Sequence, residues 1–178
     1  MKTRRKITSV LMVAWAVLPS LASPASAATK RDHLGDFRDW STFRDVEDNG
    51  AMVCYMISMP KETRLSERGV KRDKPYFMVS HWPRRSERGV VSVSAGYDLR
   101  RNADVVITVG EKSFELYGDK ATAWTYGLED DAALVAAMKS GISLSVKAVA
   151  ARGFSSTDTY SLHGFTAAYN AISAACRK

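Results

Sequence analysis

The sequence predicts a mainly β protein, a sandwich or a barrel, with one short internal helix and a helix at the C-terminus. Short runs of β-branched and aromatic residues recur about every ten to fifteen residues, which is typical of strands in such folds. Proline, glycine, asparagine and aspartate separate the runs and mark turns. Apolar residues recur at helical spacing in two further segments, which predicts the two helices.

Seven runs are predicted to be strands. The first is short and apolar, which predicts a buried strand, and the last alternates apolar and polar residues, which predicts a half-buried strand. The inward residues of that last strand are expected to be Ile142, Leu144, Val146, Ala148 and Ala150. The seven runs are AMVCYMIS, PYFMVSHW, VVSVSAGY, DVVITVG, SFELYG, ATAWTYG and ISLSVKAVAARG.

The internal helix is predicted over LEDDAALVAAMKSG, which has acidic residues in its first turn, a lysine in its last turn and a glycine where it ends. Its apolar face is Leu134, Val135 and Met138. The second helix is predicted over residues 164–176. Its apolar face is Phe165, Tyr169, Ile172 and Cys176.

The N-terminus has the pattern of a secretory signal peptide. Four positive charges in MKTRRK precede an apolar stretch, and small residues follow in SPASAA. Cleavage is predicted after Ala27, which leaves residues 28–178 as a single mature domain. The alternative is a membrane anchor, but the apolar run before Pro19 is about a dozen residues, short of the roughly 20 that span a bilayer. No cysteine lies directly after the apolar stretch, so a lipid anchor is not expected.

The positive charge of the chain belongs partly to this leader. The full sequence has a formal net charge of +7. Removal of Lys2, Arg4, Arg5 and Lys6 with the leader leaves +3, which is ordinary for a soluble surface and gives no argument for nucleic acid. The mature protein is expected in the periplasm, associated with the outer membrane, or secreted, with no transmembrane segment after cleavage.

The two cysteines, Cys54 and Cys176, are predicted to form a disulfide. An exported protein can hold disulfides, and two is an even number. Cys54 lies in the first predicted strand, and Cys176 lies on the apolar face of the last helix. The alternative is two buried free thiols.

Basic and aromatic residues interleave between Lys61 and Arg88. This pattern could bind an anion such as a lipopolysaccharide phosphate or an acidic glycan. The candidate residues for this binding are Trp82, Arg84, Arg85 and Arg88. The alternative is two solvated loops around one strand, with the aromatic residues half in the core.

Catalytic and metal-binding patterns are sparse. His33, His81 and His163 lack the spacing of a zinc site, and no cofactor or metal is expected. Asp158, Ser161 and His163 lie close in sequence, but no G-x-S-x-G motif accompanies them. Asp158 and Thr159 are expected to bind backbone amides in a loop, and His163 is expected at the start of the final helix.

Seven blocks carry a resemblance to a known family: CYMISMPKE, PYFMVSHWP, VSVSAGY, the strand of Trp124, LVAAMKSG, SVKAVAARG and TDTYSLHGFTAAYNAISAAC. In this order they resemble the invasion-associated locus B family of exported alphaproteobacterial proteins. The resemblance covers most of the chain from about Trp40, and the last block is its most specific part.

The resemblance implies an immunoglobulin-like β-sandwich with a C-terminal helix, in the periplasm or at the cell surface. It implies no catalytic motif. The expected function is therefore that of a non-enzymatic envelope protein that acts through its surface on an envelope component or a host cell, in virulence or envelope maintenance. The alternative is a small periplasmic hydrolase or ligand-binding protein that uses Asp158, Ser161 or His163. Family members usually have a small threonine after Arg152 and Gly153, whereas this chain has Phe154, so no binding role is carried over to the loop from Arg152 to Tyr160.

Overall fold

The computed structural model describes residues 29–177, which form eleven strands and two helices. The predicted leader lies outside the described residues, so its cleavage stays a prediction. The strands are β1 (Lys30–Phe37), β2 (Trp40–Val46), β3 (Met52–Ser58), β4 (Glu62–Leu65), β5 (Tyr76–Trp82), β6 (Glu87–Ser94), β7 (Val105–Val109), β8 (Lys112–Asp119), β9 (Thr122–Trp124), β10 (Ser143–Val149) and β11 (Ser155–Ser161). The helices are α1 (Leu128–Ser140) and α2 (Phe165–Ala175).

The strands pair in the order β1-β2-β3-β5-β6-β9-β8-β7-β10-β11-β4, and the pairs are antiparallel. The long strand β8 belongs to both halves of this sheet. Its first residues pair with β7, and its last three pair with β9. The chain therefore bends from one half to the other along β8, which allows the sheet to fold over on itself.

The two halves of the sheet face each other as the layers of a sandwich. Phe77 of β5 meets Tyr160 of β11 edge to face, with ring centroids 5.6 Å apart. The indole N–H of Trp40 in β2 donates to the carbonyl of Ser161, 3.1 Å away. The predicted class is confirmed: the described chain is mainly β, with one internal helix and one helix near the C-terminus, an architecture that fits an immunoglobulin-like sandwich.

Both helices cover the inner face of the β1–β6 half. Side chains alternate along a strand, so Phe77 and His81 lie on the same face of β5. Phe77 contacts β11, whereas the His81 ring contacts Ser173 of α2. β11 and α2 therefore both pack against the same face of β5. The predicted apolar face of α1 is confirmed, since Leu134, Val135 and Met138 are buried.

The predicted disulfide is confirmed. Cys54 of β3 and Cys176, the residue after α2, are bonded, with Cα atoms 5.9 Å apart, and both are fully buried. Phe165 and Ile172 of α2 are buried on the same side of the helix, and Tyr169 is half-buried there. The bond fastens the end of α2 to a central part of the sheet.

Two predictions about the C-terminal third were wrong. Ile142 is 75% exposed because β10 begins one residue later, so Ile142 belongs to the turn after α1, where strand alternation does not hold. Asp158 and Thr159 are strand residues of β11, which pairs with β10 on one side and β4 on the other. The strands β1, β2 and β4 were not predicted, because their sequences carry many charged residues.

Candidate functional site

The four candidate anion-binding residues lie at the turn between β5 and β6, which we call the arginine turn (residues 82–88). Trp82, Arg84 and Arg85 line one cleft, whereas Arg88 lines a separate cavity beside His81 and Cys176. Pro83 begins a single 3₁₀ turn, a position that suits its fixed φ. The backbone N–H of Ser86 donates to the carbonyl of Pro83 over 3.1 Å, with Ser86 in the left-handed region at φ 58°. The turn therefore presents Arg84 and Arg85 to solvent.

Trp82 provides the aromatic surface of the arginine turn. Its indole N–H donates to the Ser80 hydroxyl at 2.9 Å, which fixes the ring of this half-buried side chain. The Arg85 guanidinium lies 4.9 Å from the ring centroid. A cation–π contact at such an exposed site contributes about 0.5–1 kcal/mol. Arg85 is thus held over the ring, with its charge still accessible.

Arg84 and Arg88 donate to backbone carbonyls instead of carboxylates. Arg84 donates to the carbonyl of Asn49 at 2.6 Å, and Arg88 donates to the carbonyl of Cys176 at 3.4 Å. Among the ion pairs of residues 29–177, none involves an arginine of this turn. Because a carbonyl carries no net charge, the positive charge of the turn is not neutralised by a direct partner.

A cleft of about 340 Å³ adjoins the turn. Trp82, Arg84 and Arg85 form its basic side. Asp45 and Glu47 also line it. Arg31 neutralises Asp45 through two hydrogen bonds of 2.9 and 2.7 Å, whereas Glu47 accepts a hydrogen bond from the Asn49 side-chain amide at 3.0 Å. The volume of the cleft is enough for a small group beside the turn, and its lining has arginines together with the carboxylate of Glu47.

His81, which precedes Trp82, is a notable residue that the sequence did not single out as a site. In the pairing of β5 with β6, a β-bulge leaves Gly89 as an extra residue of β6 opposite Ser80 and His81. Gly89 adopts φ +75°. The Gly89 N–H donates to His81 Nδ1 at 2.9 Å, while His81 Nε2 lies 2.9 Å from the Ser173 hydroxyl. Burial lowers the pKa of His81 to about 4, and the charges of Arg88 and Lys139 act in the same direction.

These contacts determine what His81 can do chemically. Because Nδ1 accepts a hydrogen bond, the ring proton of the neutral form sits on Nε2, which then donates to Ser173. A serine nucleophile needs the opposite arrangement, with a free lone pair on the nitrogen that faces the hydroxyl. A cavity of about 120 Å³ adjoins His81 and Arg88, but this tautomer favours a structural role for the histidine, which ties α2 to β5.

The residues of the hydrolase alternative are not assembled into one catalytic group. Asp158 is buried on β11 and bound by Arg72 through bonds of 2.9 and 2.5 Å, and the Thr63 hydroxyl donates to it at 2.6 Å. The Ser161 hydroxyl accepts the backbone N–H of His163 at 3.2 Å. His163 is exposed directly before α2, as predicted.

The Arg72–Asp158 pair was also missed by sequence reasoning. Its side chains are 8% and 3% exposed, and Arg72 also donates to the carbonyl of Ala95 at 3.2 Å. Nearby, the hydroxyls of Tyr97 and Ser156 lie 2.6 Å apart. Arg72 and Asp158 are 86 residues apart in the chain, so no local sequence pattern could have paired them. The network attaches the segment before β5 to β11.

No group of three or more His, Cys, Asp or Glu side chains within residues 29–177 is arranged to hold a metal ion. In the same part of the chain, no helix is both long and apolar enough to cross a membrane.

The family model described as "Invasion associated locus B (IalB) protein" matches residues 40–173. The match begins at the first residue of β2 and ends within α2, and it includes the arginine turn, His81 and Asp158. No curated protein and no solved structure matches the chain.

Proposed function

Because the chain belongs to the invasion-associated locus B family, we propose that it is an exported envelope protein that acts without catalysis, by binding an anionic envelope component through the arginine turn. The predicted leader and the disulfide support export to an oxidising compartment. The proposed setting is the periplasm, with the mature protein free, associated with the outer membrane or secreted. The biological role is envelope maintenance or attachment to a host cell.

The arginine turn is the observation that carries this proposal. Arg84 donates to a backbone carbonyl and Arg85 lies over the Trp82 ring, while Arg88 donates to a carbonyl at the end of α2. None of the ion pairs within residues 29–177 involves these three guanidinium groups. Guanidinium groups bind phosphates and carboxylates through paired, charge-assisted hydrogen bonds. The fit is to a ligand with clustered phosphates or carboxylates on a surface, such as lipopolysaccharide.

A non-enzymatic role is supported by the engagement of the candidate catalytic residues. Asp158 is bound by Arg72 and Thr63, and the Ser161 hydroxyl accepts a backbone N–H. The tautomer of His81 that Gly89 selects cannot take a proton from Ser173. These contacts engage Asp158, Ser161 and His81 in structural hydrogen bonds.

The test compares two triple variants that lose the same charge. Arg84, Arg85 and Arg88 are replaced together by glutamine in one variant, and the exposed residues Arg68, Lys71 and Arg152 are replaced by glutamine in the control. Binding to purified lipopolysaccharide, to its dephosphorylated form and to neutral phosphatidylcholine vesicles is measured at two salt concentrations.

The arginine-turn variant should lose salt-sensitive binding to phosphorylated lipopolysaccharide, whereas the control variant should keep it. Both should unfold at nearly the wild-type temperature, because exposed charges contribute little to stability. Equal losses in the two variants would mean that only net charge matters, and unchanged binding in the arginine-turn variant would exclude this turn as the site.

A further inference from the structure

An exposed group of aromatic rings lies on the side of the sheet that faces away from the helices. Ala123 of β9 is buried on the inner face, so its neighbour Trp124 points outward, and Tyr117 of β8 is its cross-strand partner. The ring centroids of Tyr117 and Trp124 are 5.9 Å apart, and those of Tyr117 and Tyr126 are 5.5 Å apart. Tyr117 is 44% exposed and Tyr126 is 62% exposed, so the group forms an open aromatic surface.

A cleft of about 390 Å³ adjoins Tyr126, within the size range of small-molecule sites. Phe114 and Tyr126 line it with Glu115 of β8 and Asp130 of α1, so the cleft extends from the outward ring of Tyr126 to the start of α1. We call this cleft, with the neighbouring rings of Tyr117 and Trp124, the aromatic cleft. It is distinct from the arginine turn and has the opposite charge.

The charged groups of the aromatic cleft are carboxylates. Asp104 accepts the hydroxyl hydrogen of Tyr126 at 2.9 Å. This bond raises the pKa of Tyr126, and the charge of Glu115 acts in the same direction. Within residues 29–177, none of the ion pairs uses Asp104, Glu115 or Asp130. The cleft therefore combines negative charge with exposed ring faces.

Within residues 29–177, no Lys or Arg lies over the rings of the aromatic cleft. The described part of the chain has four cation–π contacts, and they involve Tyr55, Tyr97, Trp82 and Tyr169. The faces of aromatic rings carry negative electrostatic potential, and carboxylates beside them add to it. A group that combines positive charge with apolar carbon is complementary to both features, whereas an anion would be repelled.

We propose that the aromatic cleft binds a small organic cation, an ammonium group that carries methyl or methylene groups. The cation lies against the ring of Tyr126, which contacts Tyr117, and Glu115 and Asp130 compensate its charge. This inference uses a separate surface and does not depend on the proposed role of the arginine turn. Because the rings are exposed to water, each contact is weak, and the affinity is expected in the millimolar range.

The probes are choline, tetramethylammonium and 3,3-dimethylbutan-1-ol, a neutral compound with the shape of choline. Each is titrated into the oxidised protein, and the amide and indole N–H signals are followed by NMR. Choline and tetramethylammonium should shift the signals of Trp124 and Tyr126 in a saturable way. The neutral compound should bind at least about fivefold more weakly, as loss of the cation–π and carboxylate contacts requires.

Four variants locate the effect. Tyr126→Ala and Glu115→Gln should each weaken choline binding about two- to fivefold, whereas Tyr126→Phe should keep most of it because the ring remains. Glu67→Gln, which removes the same charge from a distant loop, should bind choline as the wild type does. The spectra also report whether each variant is folded.

Three outcomes would overturn the proposal. The first is equal binding of choline and its neutral analogue, which would indicate a merely hydrophobic surface. The second is equal weakening by Glu67→Gln and Glu115→Gln, which would indicate a long-range effect of net charge. The third is a neutral oligosaccharide such as maltohexaose that shifts Trp124 and Tyr126 when choline does not, which would assign the rings to sugar binding.

Discussion

Acid should destabilise the fold through His81, and replacement of His81 by asparagine should remove that part of the pH dependence. His81 is 1% exposed, and its Nδ1 accepts the Gly89 N–H, so the folded protein requires the neutral ring. Protonation would place two N–H groups against each other and a charge between β5 and α2. An asparagine can present its amide oxygen to Gly89 in the same way, and it does not titrate in this range.

The magnitude follows from the pKa of His81. Burial lowers this pKa from 6.5 to about 4, so between these values the unfolded chain binds a proton that the folded chain does not. The contribution of His81 to stability is therefore fully present above pH 6.5 and is lost as the pH falls toward 4. At 1.36 kcal/mol for each pKa unit, the free energy of unfolding should fall by about 3 kcal/mol between pH 7 and pH 4 on account of His81.

Urea unfolding of the oxidised protein, followed by tryptophan fluorescence and circular dichroism at pH 7, 6, 5 and 4, measures this change. The His81→Asn variant should lose about 3 kcal/mol less than the wild type over the same interval. His163→Asn, which replaces an exposed histidine, should follow the wild-type curve. Parallel curves for the wild type and His81→Asn would refute the reasoning, because the proton uptake would then belong to another group.

Three further predictions concern the disulfide, the leader and the buried ion pair. Cys54→Ser and Cys176→Ser should each lower the free energy of unfolding by about 2–5 kcal/mol, since the bond closes a separation of 122 residues. The double variant should be little worse than either, because one bond is shared; a fully additive loss in urea unfolding would contradict this. Mature protein isolated from cells should begin at or next to Ala28, and Edman sequencing that finds Met1 would refute cleavage. Arg72→Met should lower the free energy of unfolding by about 3–5 kcal/mol by leaving the buried Asp158 without its ion-pair partner, and adding Asp158→Leu should recover part of this loss in the same assay.

The sequence by itself determined the elements whose residues follow a regular period. The apolar faces of α1 and α2 were predictable, because burial of a helix selects residues three and four positions apart. The disulfide was predictable as well: Cys54 lay in an apolar strand, Cys176 lay on the buried face of α2, and no other cysteine could compete. The arginine turn was found because its four residues are neighbours in the chain.

The tertiary structure alone decided the roles of residues whose partners are distant in the chain. Asp158 was predicted as a loop residue because SSTDTYS contains mostly polar residues, yet these residues form β11. Polar residues can occupy a buried strand when their hydrogen bonds are satisfied, and here Arg72 and Thr63 satisfy Asp158. His81 likewise depends on Ser173, 92 residues away.

The aromatic cleft, too, was predictable only in part from the sequence. Trp124 and Tyr126 were predicted within a strand, but a strand pattern does not say which of its faces another layer will cover. That depends on where the sheet folds along β8 and on the helices that pack against its inner face. Apolar periodicity is local and records burial, whereas the assembly of a surface from separate strands depends on their pairing, which one strand's sequence does not encode.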